Sequence, residues 1–178
     1  MRIQKQLWMS FGFISLIFGA SALHAAEGPT DSQIAAIVVT ANAVDIDAGR
    51  LAEKVSTNKE VKDFANRMVV DHSAVNKQAT DLAAKLKVKP EASDLSKSLD
   101  DGGKKNLAKL KTLKAAAFDK AYVDHEVAYH LAVLDTIDKT LIPNAKNAEL
   151  KSLIEKVRPA IAAHLEHAKQ IQAKLGAG

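Results

Sequence analysis

The chain has 178 residues, no cysteine, 4% aromatic residues and a formal charge of +4. The missing cysteines exclude disulfides and a cysteine nucleophile. The few aromatics and nearly balanced charge exclude the basic, aromatic-studded face of a nucleic-acid-binding protein.

In chain order, residues 1–25 read as a secretory signal peptide. The basic stretch MRIQKQ precedes the apolar run LWMSFGFISLIFGASAL and then HAAEGPT, the order of a cleaved signal. Cleavage is expected after Ala25 or Ala26. Ser10, Gly12 and Ser15 interrupt the run and leave it short of a comfortable bilayer span. No cysteine follows it, which excludes a lipoprotein anchor. The expected product is a soluble periplasmic protein, with association to the outer membrane left open. Loss of Arg2 and Lys5 would leave 23 basic against 21 acidic residues, a charge of +2. Residues 26–178 are enough for one domain with a real core.

Scarce glycine and proline, with Ala, Leu, Lys and Glu dominant, favour helix. Thr30-Asp31-Ser32-Gln33 and Thr57-Asn58-Lys59-Glu60 fit the capping box, in which side chains satisfy free backbone donors reciprocally. One helix is therefore expected from about Asp31 to Ser56 and a second from about Asn58 to Lys87, closed by Pro90 and joined as an antiparallel hairpin. Residues 88–116 look less regular. DDGG at 100–103 is expected to break the chain, leaving a short helix in KKNLAKLKTLK. A third long helix is expected from about Phe118 to Leu141, and a fourth from about Lys146 to Leu175, kinked at Pro159.

Apolar residues recur every three or four positions in each long segment, as in Ile34, Ile37, Ala41, Val44, Ala48, Leu51 and Val55 of the first. That spacing keeps one face turned to a partner helix. Four long helices with a short first link, a long second and a short third predict an all-α, ferritin-like antiparallel four-helix bundle, its crossover carrying a short extra helix.

The seams are interrupted by histidines. His72, His130 and His164 each take a core position on a different helix, and Asp45 adjoins the seam of the first. This predicts a metal site of Asp45, His72, His130 and His164 for zinc, copper, nickel or iron. Asp71, beside His72, and Glu126, one turn before His130, are candidates to orient ring nitrogens. A buried His–Asp hydrogen-bond network would produce the same pattern, so both readings stand. Counting along the hairpins puts Asp45 and His72 within ~5 Å in height but His130 and His164 ~12 Å apart. The residues consumed by the turn reduce the second figure, so whether His164 shares the layer of His72 and His130 is left open. His125 reads as a solvated residue and His167 as an edge residue.

The blocks KEVKDFANRMVVDHSAVNK, FDKAYVDHEVAYH and RPAIAAHLEHAK together resemble the bacterial exported family called domain of unknown function 4142. The resemblance spans about Asp31 to Leu175. It implies a ferritin-like fold at the cell envelope, and members are often labelled outer-membrane proteins. Asp71 and His72 match that family's Asp-His pair, Tyr122 its aromatic after Phe-Asp, and His130 and His164 its later histidines. Asp45 stands where the family usually carries Glu.

No Glu or Asp stands three residues before a histidine downstream of the signal, which argues against a dinuclear oxygen-activating centre. No serine joins a histidine in a hydrolase motif. An enzymatic role thus has no motif behind it. The alternative to metal binding is an envelope stress, accessory or interaction protein with structural histidines. Such a protein could touch an anionic membrane surface or an envelope partner through Leu107, Leu110 and Leu113 and the lysines around them. The competing reading of that segment is a crossover helix that buries its leucines and solvates its lysines.

Overall fold

The computed structural model describes residues 28–176, so the expected signal segment lies outside the described residues. Among the described residues the chain is helical, with no strand. No described helix is long and apolar enough to cross a membrane.

Helix α1 (Asp31–Val55) starts at the expected capping box, the Thr30 hydroxyl accepting from Gln33 N and the Gln33 side chain accepting from Thr30 N. Helix α2 (Lys59–Leu86) is capped by Asn58 rather than Thr57. The Asn58 amide oxygen accepts from Glu60 N and Val61 N, which satisfies two donors with one side chain. Helix α4 (Ala115–Thr136) passes into a π-helical segment, Ile137–Leu141, and then a single turn, α5 (Ile142–Asn144). Helix α6 (Ala148–Gly176) runs through Pro159 without interruption. Asp31 fixes its start, its carboxylate accepting from Lys146 N and Asn147 N at 2.9 and 3.0 Å.

The crossover differs from expectation. DDGG does not break the chain: helix α3 (Asp94–Lys111) runs through it, opened by a capping box between Ser93 and Ser96. Gly103 is buried where α3 crosses α1, and a Cβ there would lie 2.7 and 2.8 Å from the two Val44 methyls. The glycine serves close helix approach rather than a turn. Gly102 is exposed and a Cβ on it would meet nothing. Opposite outcomes follow for two adjacent residues. Gly102→Ala should stabilise by about 0.5–1 kcal/mol through chain entropy. Gly103→Ala should destabilise by about 1–3 kcal/mol through overpacking against Val44, a side chain stiff in a helix. Urea unfolding measures both.

Helix α1 lies against α2, α3 and α4, while α6 lies against α4 and α2. Helices α1, α2, α6 and α4 thus close a ring around one interior, with α3 outside it on α1. Leu110 is fully buried and Leu113 packs on the same core. Lys104, Lys105, Lys109, Lys111 and Lys114 stay exposed. Leu107 is half-buried, so the crossover spends most of its apolar face, but not all, inside the protein.

Two apolar clusters fill the interior. One centres on Phe64, Met68, Phe118, Tyr122 and Ile171, the other on Ile34, Ile37, Ile137, Ile154 and Ile161. Between them, in sequence and in space, lies a layer of buried polar side chains.

Candidate metal centre

The polar layer takes Asn42 and Asp45 from α1, His72 from α2, Glu126 and His130 from α4, and His164 from α6. All six are buried, and Asp45, Glu126 and His130 are each 1% exposed. Asn42 and Asp45 sit three residues apart, so both face inward on one stripe. Val44 turns instead toward Gly103 of α3, so at this level Asp45 rather than Val44 faces the interior.

The three imidazoles form a nearly equilateral triangle. Ring centroids lie 5.7 Å apart for His72–His130, 5.3 Å for His72–His164 and 5.6 Å for His130–His164. His164 thus shares the layer of the other two, which the height count left open. The π-helical segment, α5 and the link to Ala148 take up the residues in excess.

Each ring is held by one nitrogen. His72 Nδ1 donates to Asn42 Oδ1 at 2.7 Å. The amide orientation follows from its other end, where Asn42 Nδ2 donates to Val38 O at 2.7 Å. His130 Nδ1 donates to the Glu126 backbone carbonyl at 2.9 Å. His164 Nε2 donates to the Asp71 carboxylate at 2.9 Å. A carbonyl, an amide oxygen and a carboxylate can only accept, so each facing nitrogen carries its ring's proton. In the neutral rings the opposite nitrogens, His72 Nε2, His130 Nε2 and His164 Nδ1, are bare lone pairs. All three are buried without a hydrogen-bond partner.

The Asp45 carboxylate closes the triangle, Oδ2 lying 3.0 Å from His72 Nε2 and 3.5 Å from His130 Nε2. Neither contact has hydrogen-bond geometry, so proximity here is not satisfaction. Burial would raise the Asp45 pKa, but the His72 and His130 rings and Glu126 outweigh it and hold the carboxyl at about 2. Burial, then the Asp45 charge, pushes Glu126 well above the ordinary 4.5. Burial depresses His130, and depresses His164 to about 4. Near neutral pH the layer therefore holds an ionised Asp45, a protonated Glu126 able to donate to it, and two neutral rings, His130 and His164. A buried anion beside the lone pair of His130 is a receptor for a cation.

One atom from each of His72, His130 and His164 falls within 4.8 Å of the others, and so does one from each of Asp45, Glu126 and His130. Ligand nitrogens ~2.0–2.1 Å from one tetrahedral ion stand ~3.3 Å apart, a gap that small ring rotations close. The residues fit a mononuclear centre of three imidazoles and a carboxylate, the donor set suited to zinc, copper, nickel or iron.

The four ligand candidates from the sequence are together. Asp71 orients His164, not its neighbour His72, and also lies 3.6 Å from Arg67. The residue that orients His72 is Asn42, which sequence reasoning missed. Its signal was a polar side chain on the apolar stripe between Val38 and Asp45. His125 is half-buried and stacked on Tyr129 at 5.5 Å rather than solvated. His167 stays outside the centre, edge-on to Phe64 at 5.2 Å. The Tyr122 hydroxyl, one turn from Glu126, is buried and unpartnered.

The raised Glu126 pKa sets a sign. Above pH 4.5 the unfolded chain has lost a proton that the folded metal-free protein keeps, so stability falls as pH rises. Glu126→Gln keeps an N–H donor for Asp45 and cannot titrate. Metal-free melting of this variant should match the parent below pH 4.5. Above it, the variant should gain on the parent by about 1.4 kcal/mol per pH unit until Glu126 itself ionises.

The family model described as Domain of unknown function (DUF4142) matches residues 19–171. No curated protein and no solved structure matches the chain.

Proposed function

The chain belongs to the Domain of unknown function (DUF4142) family, and from the geometry of its buried layer we propose that it binds one transition-metal ion. His72 Nε2, His130 Nε2, His164 Nδ1 and the Asp45 carboxylate are the ligands. Asn42, the Glu126 backbone and Asp71 orient the rings. The observation that carries this reading is the set of three buried ring nitrogens without a hydrogen-bond partner, two of them 3.0 and 3.5 Å from the Asp45 carboxylate. A purely structural network would have spent those lone pairs on donors. The setting we propose is a ferritin-like four-helix bundle, in keeping with the closed ring of α1, α2, α6 and α4, and export to the periplasm.

Equilibrium titration of chelator-stripped protein with zinc, copper, nickel and ferrous iron tests the reading. It expects one ion per chain for at least one metal, and affinity about 10–100-fold weaker in Asn42→Ala, because partners that orient a ligand carry that much. No bound ion with any metal would refute it.

A second reading rests on the 3.0 Å approach of His72 Nε2 to Asp45. There the cation is a proton on His72, the histidines are structural, and the protein acts at the envelope through its exposed crossover lysines. Binding to anionic vesicles that salt abolishes would support that surface role, and its absence would remove it.

A further inference from the structure

The polar layer is not closed on every side. An apolar cavity of about 70 Å³ adjoins it, running from Asp45, His72 and His130 toward the π-helical end of α4. Its walls include Ile37, Val133, Ile137, Ile154 and Ile161, with Leu99 of α3 on the outer side. We propose that this cavity is a binding chamber for an uncharged molecule of dioxygen's size, opening at its inner end on the Asp45–His72–His130 face of the centre. The inference rests on the metal-binding reading only for what the molecule meets at that end.

Size and polarity select the class of occupant. One water needs ~10–15 Å³ of such space, and an apolar cavity of ~150 Å³ takes benzene. The chamber lies between them, too small for an aromatic ring and ample for two or three heavy atoms. A buried water needs two to four polar partners, and the wall hydroxyls of Tyr129 and Thr136 already donate to the Ala41 and Ala132 carbonyls. The chamber's unpartnered polar atoms gather at the inner end, on Asp45, His72 and His130, while Asn42 there is already engaged at both ends of its amide. An ion would lose its hydration there without replacement. A neutral apolar molecule loses nothing.

The backbone is shaped for this space. The π-helical turn places Ile137 and Leu141 both in the wall, and such turns recur at functional sites. Arg158 holds the turn, its Nε and Nη2 donating to the two oxygens of Asp138 at 2.6 Å. Tyr129, another wall residue, donates its hydroxyl to the Ala41 carbonyl at 2.9 Å and braces α4 against α1 beside the chamber.

The test uses the metal-stripped, methyl-labelled protein under dioxygen and under nitrogen. Dissolved dioxygen is paramagnetic, so it should speed methyl relaxation at Val133, Ile137 and Ile154 several-fold more than at Val123, Leu110 and Ile171 of the other buried cluster. Xenon should shift the same methyls. Ala41→Leu, which adds three carbons at the wall, should abolish both effects, and Val133→Phe supplies the same test if the first variant does not fold. Equal relaxation in the two clusters would overturn the proposal. So would an effect that survives both fillings, or water cross-relaxation along the apolar wall. Because no metal is present, failure here leaves the ligand set standing, and failure of metal binding leaves the chamber standing.

Discussion

Zinc at a thousandfold excess over its dissociation constant is expected to raise the melting temperature of the stripped protein by roughly 8–16 °C. Binding to the folded state alone contributes about 4 kcal/mol at that excess. Each kcal/mol shifts the midpoint of a chain this size by about 2–4 °C. The effect needs all three rings, because each supplies one bare nitrogen and none has a substitute within the layer. The variant His72→Ala, His130→Ala, His164→Ala should therefore melt without any zinc shift. Its own stability will drop, since three buried side chains leave voids, so His164→Gln is the milder companion. It keeps a donor toward Asp71 and loses the aromatic lone pair, and its zinc shift should fall sharply while it melts cooperatively. A parent that melts cooperatively and does not respond to zinc, copper, nickel or ferrous iron would end the metal account.

Asp45→Asn separates the two cations that could neutralise the layer, and it does so by sign. If the partner is a proton on His72, the 3.0 Å contact is a buried ion pair. Removing one charge from such a pair costs about 3–5 kcal/mol, a fall of roughly 6–20 °C at the midpoint. If the partner is a metal, the stripped protein carries a buried carboxylate facing lone pairs. Asparagine then relieves it, because the amide N–H groups can donate to His72 Nε2 or His130 Nε2. The metal account expects the stripped Asp45→Asn variant to melt at or above the stripped parent, with its zinc shift largely lost. A large destabilisation of the stripped variant would favour the proton.

The helices and the buried His–Asp layer were legible because both rest on local rules. Three-to-four spacing marked the faces, Thr30 and Gln33 marked a start, and histidines on apolar stripes marked the layer. What failed was non-local. Gly102 and Gly103 read as a break, since a sequence does not reveal that Val44 lies 2.7 Å from a missing Cβ. The layer of His164 stayed open, because how many residues the π-helical segment and the α5 link consume without the axial rise of an α-helix is not written in the sequence. Asp71 read as a partner for His72 by adjacency, yet neighbours on a helix point about 100° apart, and Asp71 reaches α6 instead. Asn42 was passed over because a lone asparagine in a helix has no motif. Only the facing ring of His72 gives it a role.

The most direct test of the central claim is X-ray absorption at the metal edge of protein loaded with one zinc and freed of excess. The account predicts a first shell of nitrogen and oxygen at ~2.0–2.1 Å, with outer-shell scattering from three imidazoles that falls to two in the His164→Gln variant. A shell without imidazole scattering, or one unchanged by that substitution, would contradict it.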